Sequence, residues 1–243
     1  MQKVDILAIG VHPDDVELAC SGTLLHHIAM GKTVALLDLT RGELGTRGSA
    51  DIRDREAANA AKLMGAVARQ NLCMADGFFE RSPENVLKIV QAIRHFQPQI
   101  VLCNAISDRH PDHGRAAKLT ADACFYAGLA KIETRDAATG EPQARHRPQA
   151  VYHYIQDRFL QPDFVVDITP YLAQKMKLIL TYESQFYNTA TEDTELSTPI
   201  SGKDFLETVV ARSRDFGRPV GFEHAEGFQA ARTVGVSSLF DLV

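Results

Sequence analysis

The first half of the chain alternates short apolar runs with helical patterns, and this alternation constrains the fold more than any other feature. Residues 4–11 (VDILAIGV) are nearly all apolar, as in a strand buried on both faces of a sheet. Residues 16–30 then show a helical pattern that stops at Gly31, a residue favoured at helix C-termini. Further strands are predicted at 33–40, 70–75 and 100–105, and further helices at 51–66, 83–96 and 114–126. This order predicts an α/β fold, a Rossmann-like three-layer sandwich with a mostly parallel sheet.

The strand order follows from the handedness of the connections. Right-handed crossovers limit the topology, and the usual doubly wound order, 3-2-1-4, places predicted strands 1 and 4 side by side. Their connections leave in opposite directions, so a crevice opens at the carboxyl ends of these two strands. We expect the functional site at this crevice.

The second half of the chain is less regular. Residues 128–148 are polar and exceed the usual loop length, which is typical of a lid or an inserted excursion. Strands are predicted at 151–155 and 164–168, helices at 170–182 and 203–216, and a loop at 187–202. We see no linker, so we expect one domain over residues 1–243. Its core (1–127) would carry the metal site, and residues 128–243 would supply substrate-side loops, extra strands and C-terminal helices.

Size and composition exclude several classes of function. A chain of 243 residues buries enough core to need no disulfide or structural metal, so a bound metal is expected to do chemistry. The net charge of −5 gives no basic field for nucleic acid. The four cysteines are widely spaced, as in reduced cytosolic proteins. No apolar run approaches the ~20 residues of a membrane span, and the first residues lack the apolar core of a signal peptide. We therefore expect a cytoplasmic protein without a membrane or nucleic-acid partner.

Two clusters of imidazoles and carboxylates follow predicted strands 1 and 4. Residues 12–17 read HPDDVE, and residues 108–113 read DRHPDH. Each cluster alone is compatible with an ordinary turn or a helix cap. Together, at one crevice, they predict a catalytic metal site, because catalytic zinc takes three protein ligands and leaves one position for water. A spare carboxylate and a spare imidazole would then serve as base and acid. By residue type alone, Asp14 and Asp15 are interchangeable as ligand and base.

These motifs resemble those of a known family. The pattern GVHPDDVE at 10–17, with HPDH at 110–113, is similar to the LmbE-like (PIG-L-like) zinc deacetylases of N-acetylglucosamine conjugates. The similarity continues through residues 40–48, 53–57, 182–186 and 225–228. The last two segments resemble the branch of bacillithiol biosynthesis, which removes acetyl from N-acetylglucosaminyl malate.

The resemblance assigns roles that spacing leaves open. It implies that His12, Asp15 and His113 hold Zn²⁺, with Fe²⁺ as the alternative ion. It implies that Asp14 is the general base for the water that the metal activates. It also implies homo-oligomers, as trimers or hexamers.

The resemblance assigns the remaining catalytic roles to the second motif. His110 would be the protonated imidazole that stabilises the oxyanion and protonates the leaving amine. Asp112 would keep His110 oriented and charged, because a neighbouring carboxylate raises the pKa of a histidine. Some relatives carry a tyrosine near the position of Asp108, and this chain does not.

Several arginines crowd the predicted mouth of the site, although the chain is acidic overall. A guanidinium suits a carboxylate or a phosphate, so we expect a small amino-sugar substrate that is anionic, such as the malate conjugate. Arg53 matches a sugar-contacting arginine of related deacetylases, and Arg109 precedes His110. Arg47 and Glu43, in the glycine-containing loop 40–48, are also expected to bind substrate.

Three alternatives stay open at this point. Two histidines and one carboxylate also form the facial triad of non-haem Fe(II) oxygenases, which we would expect on a β-barrel instead. The same site could hydrolyse an ester or another amide. A non-catalytic metal or nucleotide binder is the third alternative, although the loop after strand 1 has no GxGxxG motif.

Overall fold

The computed structural model describes residues 2–186 and 196–242. The strands are β1 (Ile6–Gly10), β2 (Val34–Thr40), β3 (Ala68–Met74), β4 (Ile100–Cys103), β5 (Ala150–Tyr154), β6 (Phe164–Asp167) and β7 (Ala225–Ala230). The α-helices are α1 (Asp15–Ala29), α2 (Ala50–Met64), α3 (Pro83–Phe96), α4 (Pro111–Ala127), α5 (Leu172–Ile179) and α6 (Lys203–Gly217). Short 3₁₀ turns cover Thr169–Tyr171, Arg218–Val220 and Leu239–Leu242. The expected loop at 187–202 lies partly outside the described residues.

The seven strands form one mixed sheet in the order β3-β2-β1-β4-β5-β7-β6. Strands β1 to β5 are parallel, and Ile6 of β1 pairs with Val34 on one side and Ile100 on the other. The predicted order 3-2-1-4 and the α/β fold class are therefore confirmed. Because β1 and β4 are neighbours, the loops that follow them meet at one edge of the sheet.

Side chains of β1 alternate between two buried layers, which explains its continuous apolar sequence. Leu7 and Ile9 join the cluster that includes helices α3 and α4, whereas Ile6 and Ala8 join the cluster on the α1 face. A strand covered on both faces needs apolar residues at every position. The result is the three-layer sandwich that the sequence predicts.

Strand β7 was not predicted from the sequence. It lies antiparallel between β5 and β6, where Phe228 pairs with Tyr154 and with Phe164. Its sequence, AEGFQA, has few of the β-branched residues that mark strands. Tertiary packing determines this strand: Phe228 is buried and stacks on Phe164, and Gly227 lies against the Phe216 ring, where a Cβ would come within 3.1 Å.

A buried ion pair ties the helix that begins at the site to the second half of the chain. Lys175 Nζ on α5 lies 2.6 Å from Glu226 Oε1 on β7. The Glu226 carboxylate accepts the backbone N–H groups of Gly22 and Thr23, in the middle of α1. Lys175 also donates to the Leu18 carbonyl. These contacts fix α1, whose first residue is Asp15, against α5 and β7.

A second buried cluster joins α1 to the other half of the sheet. Arg69 on β3 donates to both carboxylate oxygens of Asp38 on β2, at 2.7 and 2.8 Å. The same guanidinium donates to Glu17 Oε1 at 2.6 Å. Glu17 therefore supports the fold beneath the site. Within the described residues, no helix is both long and apolar enough to cross a membrane.

Candidate metal centre

The loop after β1 brings three predicted site residues together in a strained turn. Asp14, the N-cap of α1, has φ 114° and ψ −25°, in the left-handed region that non-glycine residues rarely adopt. Such strain persists only where surrounding contacts hold it. Here the next residue supplies them, because Asp15 Oδ2 accepts the backbone N–H groups of Val11 and His12 at 3.0 and 2.9 Å.

The Asp15 carboxylate lies between the two predicted histidine ligands. Its Oδ2 is 3.8 Å from His12 Nδ1, and its Oδ1 is 3.2 Å from His113 Nε2. Asn104 and Gln156 donate side-chain N–H groups to it from the loops after β4 and β5, each at 2.9 Å. Burial opposes its charge, but the pKa of Asp15 is lowered overall because His113 and His12 stabilise the carboxylate.

Each of these histidines contacts a carboxylate through its other ring nitrogen. His12 Nε2 lies 3.0 Å from Asp76 Oδ1 and 3.6 Å from Asp112 Oδ2. His113 Nδ1 makes a short hydrogen bond to Asp108. Ligand histidines of metal sites are typically held in this way, because the outer carboxylate fixes the orientation of the ring and raises its basicity.

Donor atoms suited to a divalent cation lie close together at this site, although their grouping differs from the predicted ligands His12, Asp15 and His113. Within residues 2–186 and 196–242, the ligand atoms of His12, His110 and His113 lie within 4.8 Å of one another, and so do those of a second group, His12, Asp76 and Asp112. Burial alone lowers a histidine pKa, yet the surrounding carboxylates raise the pKa of His12 to about 10 and that of His113 to about 9. Such a concentration of buried negative charge favours a cation, and mixed imidazole and carboxylate donors suit Zn²⁺ or Fe²⁺.

Asp14, the predicted base, is positioned by an arginine. Burial is the main cause that raises the pKa of its carboxyl, to about 7, while Arg53 opposes that shift. Arg53 Nη2 lies 3.3 Å from Asp14 Oδ2 and donates to Gln185 Oε1 at 2.6 Å. A carboxyl with a pKa near neutrality can both accept and release a proton, which general acid–base catalysis requires.

His110 differs from the sequence expectation in one respect. It is the N-cap of α4, and its Nδ1 accepts the backbone N–H of Asp112 at 3.3 Å. An imidazole that accepts at Nδ1 is neutral and carries its proton on Nε2. Burial, followed by the charges of His12 and His113, lowers the pKa of His110. Both observations favour a neutral imidazole with its N–H at Nε2, whereas the sequence predicts the protonated form.

Only part of the expected role of Asp112 agrees with the structure: its charge raises the pKa of His110, although burial and the charges of His12 and His113 outweigh it. Its carboxylate does not face His110: it faces His12, accepts the N–H of Gly77 at 2.9 Å and accepts from Arg115 Nη1 at 3.0 Å. Only its backbone N–H reaches His110. The motif spacing could not reveal this, because the Asp112 carboxylate meets the loop that follows β3, at Gly77.

The four predicted substrate-binding residues fall into two pairs. Arg53 and Arg109 line a cavity of about 400 Å³ that also contains His12, Asp14 and His110. Arg47 and Glu43 are not among the described residues that line this cavity. Their loop is held from both sides: the Arg47 carbonyl accepts from Gln185, and Glu43 Oε1 accepts the Asp76 N–H at 3.0 Å.

Sequence reasoning missed several residues of the site. Asp76 follows β3 just as His12 follows β1, so its place at the carboxyl edge of the sheet was a usable signal. Gln156 follows β5 in the same way, but a lone amide carries no recognisable motif. Asp157 and Arg212 also line the cavity, and their pairing joins segments that are distant in sequence.

Comparisons with known proteins agree with this geometry. The family model GlcNAc-PI de-N-acetylase (PIG-L) matches residues 7–124, the part that contains both motifs. Diacetylchitobiose deacetylase of Thermococcus kodakarensis is 30% identical over 236 residues, covering 92% of this chain and 82% of that protein.

Solved structures share the whole fold. The conserved protein TT1542 of Thermus thermophilus superposes with a TM-score of 0.83 at 33% identity, covering 97% of this chain and 98% of that one. The N,N'-diacetylchitobiose deacetylase of Pyrococcus horikoshii superposes with a TM-score of 0.79 at 24% identity, covering 98% and 88%. The chain therefore belongs to the PIG-L (LmbE-like) de-N-acetylase family, as its HPDD and HPDH motifs predict.

Proposed function

We propose that the protein is a metal-dependent hydrolase that removes the acetyl group from an N-acetylglucosamine conjugate. One observation carries the proposal: Asp14 and His110 line the same cavity as His12, Asp15 and His113. A protein that only bound a metal would need neither the strained carboxylate nor the spare imidazole. The deacetylase name of the 30% identical Thermococcus protein supports the same reaction class.

The residues that would hold the metal are His12, Asp15 and His113. Nδ1 of His12 and Nε2 of His113 face the Asp15 carboxylate. The opposite ring nitrogens contact other carboxylates: Nε2 of His12 contacts Asp76, and Nδ1 of His113 contacts Asp108. When bound, Zn²⁺ or Fe²⁺ in this position lowers the pKa of water and polarises the acetyl carbonyl.

Asp14 accepts the proton of the attacking water. As the water oxygen bonds to the acetyl carbon, the proton moves to the Asp14 carboxylate, and Arg53 holds that side chain in place. When the C–N bond breaks, the Asp14 carboxyl gives that proton to the leaving nitrogen, and the products are acetate and a free amine. A carboxyl that is buried enough to have a raised pKa suits both transfers.

His110 stabilises the oxyanion that forms on the acetyl oxygen. Because the Asp112 N–H occupies Nδ1, the N–H at Nε2 is the donor available to the substrate. A donor that is already oriented by a helix N-terminus costs little reorganisation during the reaction.

Arginine side chains in the cavity indicate what kind of substrate would bind. Arg53 and Arg109 would contact the sugar conjugate, and an anionic group such as malate would lie near Arg109. Arg109 Nε is 2.5 Å from Asp157 Oδ2, and Arg212 contacts the same carboxylate, with Asp108 as a second negative charge that acts on Arg212. Both guanidinium groups line the cavity, where they would donate to an anionic group of the substrate.

The test is a metal and amine assay. The purified protein is analysed for zinc and iron, and free amine is measured from N-acetylglucosaminyl malate and from plain N-acetylglucosamine. Release that a chelator abolishes and zinc restores would support the proposal, and a preference for the malate conjugate would support the bacillithiol assignment. Release from neither substrate by metal-loaded protein would redirect the search to other amides, to esters and then to oxygen chemistry. Homo-oligomer formation and cytoplasmic location stay predictions.

A further inference from the structure

One wall of the catalytic cavity is apolar. Leu18 of α1, Ile200, and Phe205 and Val209 of α6 all line it. Positions four residues apart lie on one helix face, so α6 presents Phe205 and Val209 side by side. This wall belongs to the same cavity as Asp14 and His110, so a group that binds there shares the cavity with the reacting amide.

The wall packs on a buried cluster, of which Val209 is a member and against which Leu18, Ile200 and Phe205 lie. Val209 is packed in this cluster with Ile179, Tyr182 and Phe186. Phe205 stacks on Phe186, with ring centroids 5.9 Å apart and an interplanar angle of 4°. The apolar surface is therefore preformed and does not depend on a ligand to assemble it.

An N-acetylated sugar alone is a poor match for this wall. Acetyl offers one methyl group, which cannot cover four apolar side chains. The sugar ring presents hydroxyl groups, and burying these against apolar surface without hydrogen bonds is costly. The charged residues Arg109, Asp157 and Arg212 also line the cavity, so it has chemically distinct sides.

We propose that the cavity takes a substrate with an alkyl or aryl group beside the scissile amide, seated against Leu18, Ile200, Phe205 and Val209. This inference rests on the proposed function and extends it to the substrate class. The apolar group belongs either to the aglycone of the sugar or to a longer acyl chain. An anionic substituent near Arg109 is compatible with it, since the two groups contact different residues.

Two matched substrate series distinguish the sources. The first compares methyl and hexyl glycosides of N-acetylglucosamine, and the second compares N-acetyl- and N-hexanoylglucosamine. Each buried CH₂ is expected to lower KM about fourfold. We expect KM to fall at least about tenfold with the longer chain in one series, and the series that responds identifies the source.

Variants of Phe205 test whether the apolar wall causes the lower KM of the longer-chain substrate. Phe205→Ser should remove most of the gain for the longer chain while the short substrate is still cleaved, and the conservative Phe205→Leu should retain it. Phe240→Ser is the matched control, because Phe240 is 85% exposed and is not among the residues lining the cavity. Continued cleavage of the short substrate shows that each variant is folded.

Equal KM values for short and long chains in both series would overturn the inference and leave the proposed function intact. The inference is also overturned if the gain is present but Phe205→Ser and Phe240→Ser affect it equally. If no substrate is cleaved, the proposed function fails. Calorimetric binding of the hexyl and methyl glycosides then decides the inference: tighter hexyl binding that Phe205→Ser removes supports it, and equal binding overturns it.

Discussion

Asp76 Oδ1 lies 3.0 Å from Nε2 of His12, at the ring nitrogen opposite the one nearest Asp15. Burial disfavours the Asp76 carboxylate, but its hydrogen bond to His12 lowers its pKa overall. The backbone N–H of Leu44 also donates to this carboxylate at 2.9 Å. Asp76 thus links the loop after β2, the loop after β3 and the candidate ligand His12.

Replacing Asp76 should weaken metal binding without removing a ligand. We expect Asp76→Asn to lower metal affinity about 10- to 100-fold, because the His12 ring loses the charged partner that fixes it. Competition with a chromogenic chelator measures this. The control is Asp51→Asn, since the Asp51 side chain is 89% exposed. Unchanged affinity in Asp76→Asn would show that His12 does not depend on Asp76, and would leave Asp112 as the carboxylate near the same nitrogen.

Replacing Asp14 should separate metal binding from catalysis. Asp14→Asn keeps the shape of the side chain but cannot accept the proton of water, so we expect full metal content and a loss of about 10²- to 10⁴-fold in kcat. Metal analysis and amine release on the same preparation test both parts. Near-normal turnover would exclude Asp14 as the base, and lost metal would make it a ligand.

Replacing only one member of the buried Lys175–Glu226 pair should lower the free energy of unfolding more than replacing both. Lys175→Met leaves the Glu226 carboxylate buried without its cation, and we expect about 3–5 kcal/mol of destabilisation. Adding Glu226→Gln should restore part of it, because the amide oxygen can still accept the N–H groups of Gly22 and Thr23. Urea unfolding at fixed metal concentration measures both. Additive losses would mean that the two residues do not act as a pair.

His153 should make stability depend on pH. Burial lowers its pKa below the ordinary 6.5, while its Nδ1 contacts the Asn104 carbonyl at 2.9 Å. Between the folded and unfolded pKa values the unfolded chain binds more protons. The contribution of neutral His153 to the free energy of unfolding is therefore complete above about pH 6.5. It is lost as the pH falls through 6.5 towards the lower pKa that His153 has in the folded protein.

The measurement compares variants at two pH values. We expect His153→Asn to lose less free energy of unfolding between about pH 7.5 and 5.5 than the unmodified protein does. His146→Asn is the control, because His146 also contacts a backbone carbonyl, that of Pro98, but is only partly buried. An identical pH dependence in His153→Asn would rule out this contribution.

The sequence was sufficient for the parts of the fold that have strong local patterns. The apolar runs before His12 and before Asp108 predicted β1 and β4, and the crossover rules made them neighbours. Both motif clusters were therefore expected at one edge of the sheet, where the structure has them. The family itself followed from the same residues.

The remaining features depend on contacts between distant segments. Strand β7 forms because Phe228 and Gly227 fit between β5 and β6, and no local pattern marks it. The side-chain direction of Asp112 depends on Gly77 and Arg115, which no motif includes. The roles of Arg47 and Glu43 in holding their loop likewise require Gln185 and the backbone of Asp76.

The position of β7 has a consequence for the order in which the protein can be completed during synthesis. Strand β6 contacts the rest of the sheet through β7, which is made later. Until residues 225–230 leave the ribosome, β6 has no neighbouring strand to pair with, and Lys175 has no Glu226 to meet. The motif-bearing part can form its parallel strands early, but the contacts that pin α1 from the opposite side arrive with the last strand. Completion of the sheet and formation of the Glu226 contacts to the helix that starts at Asp15 are therefore one late event.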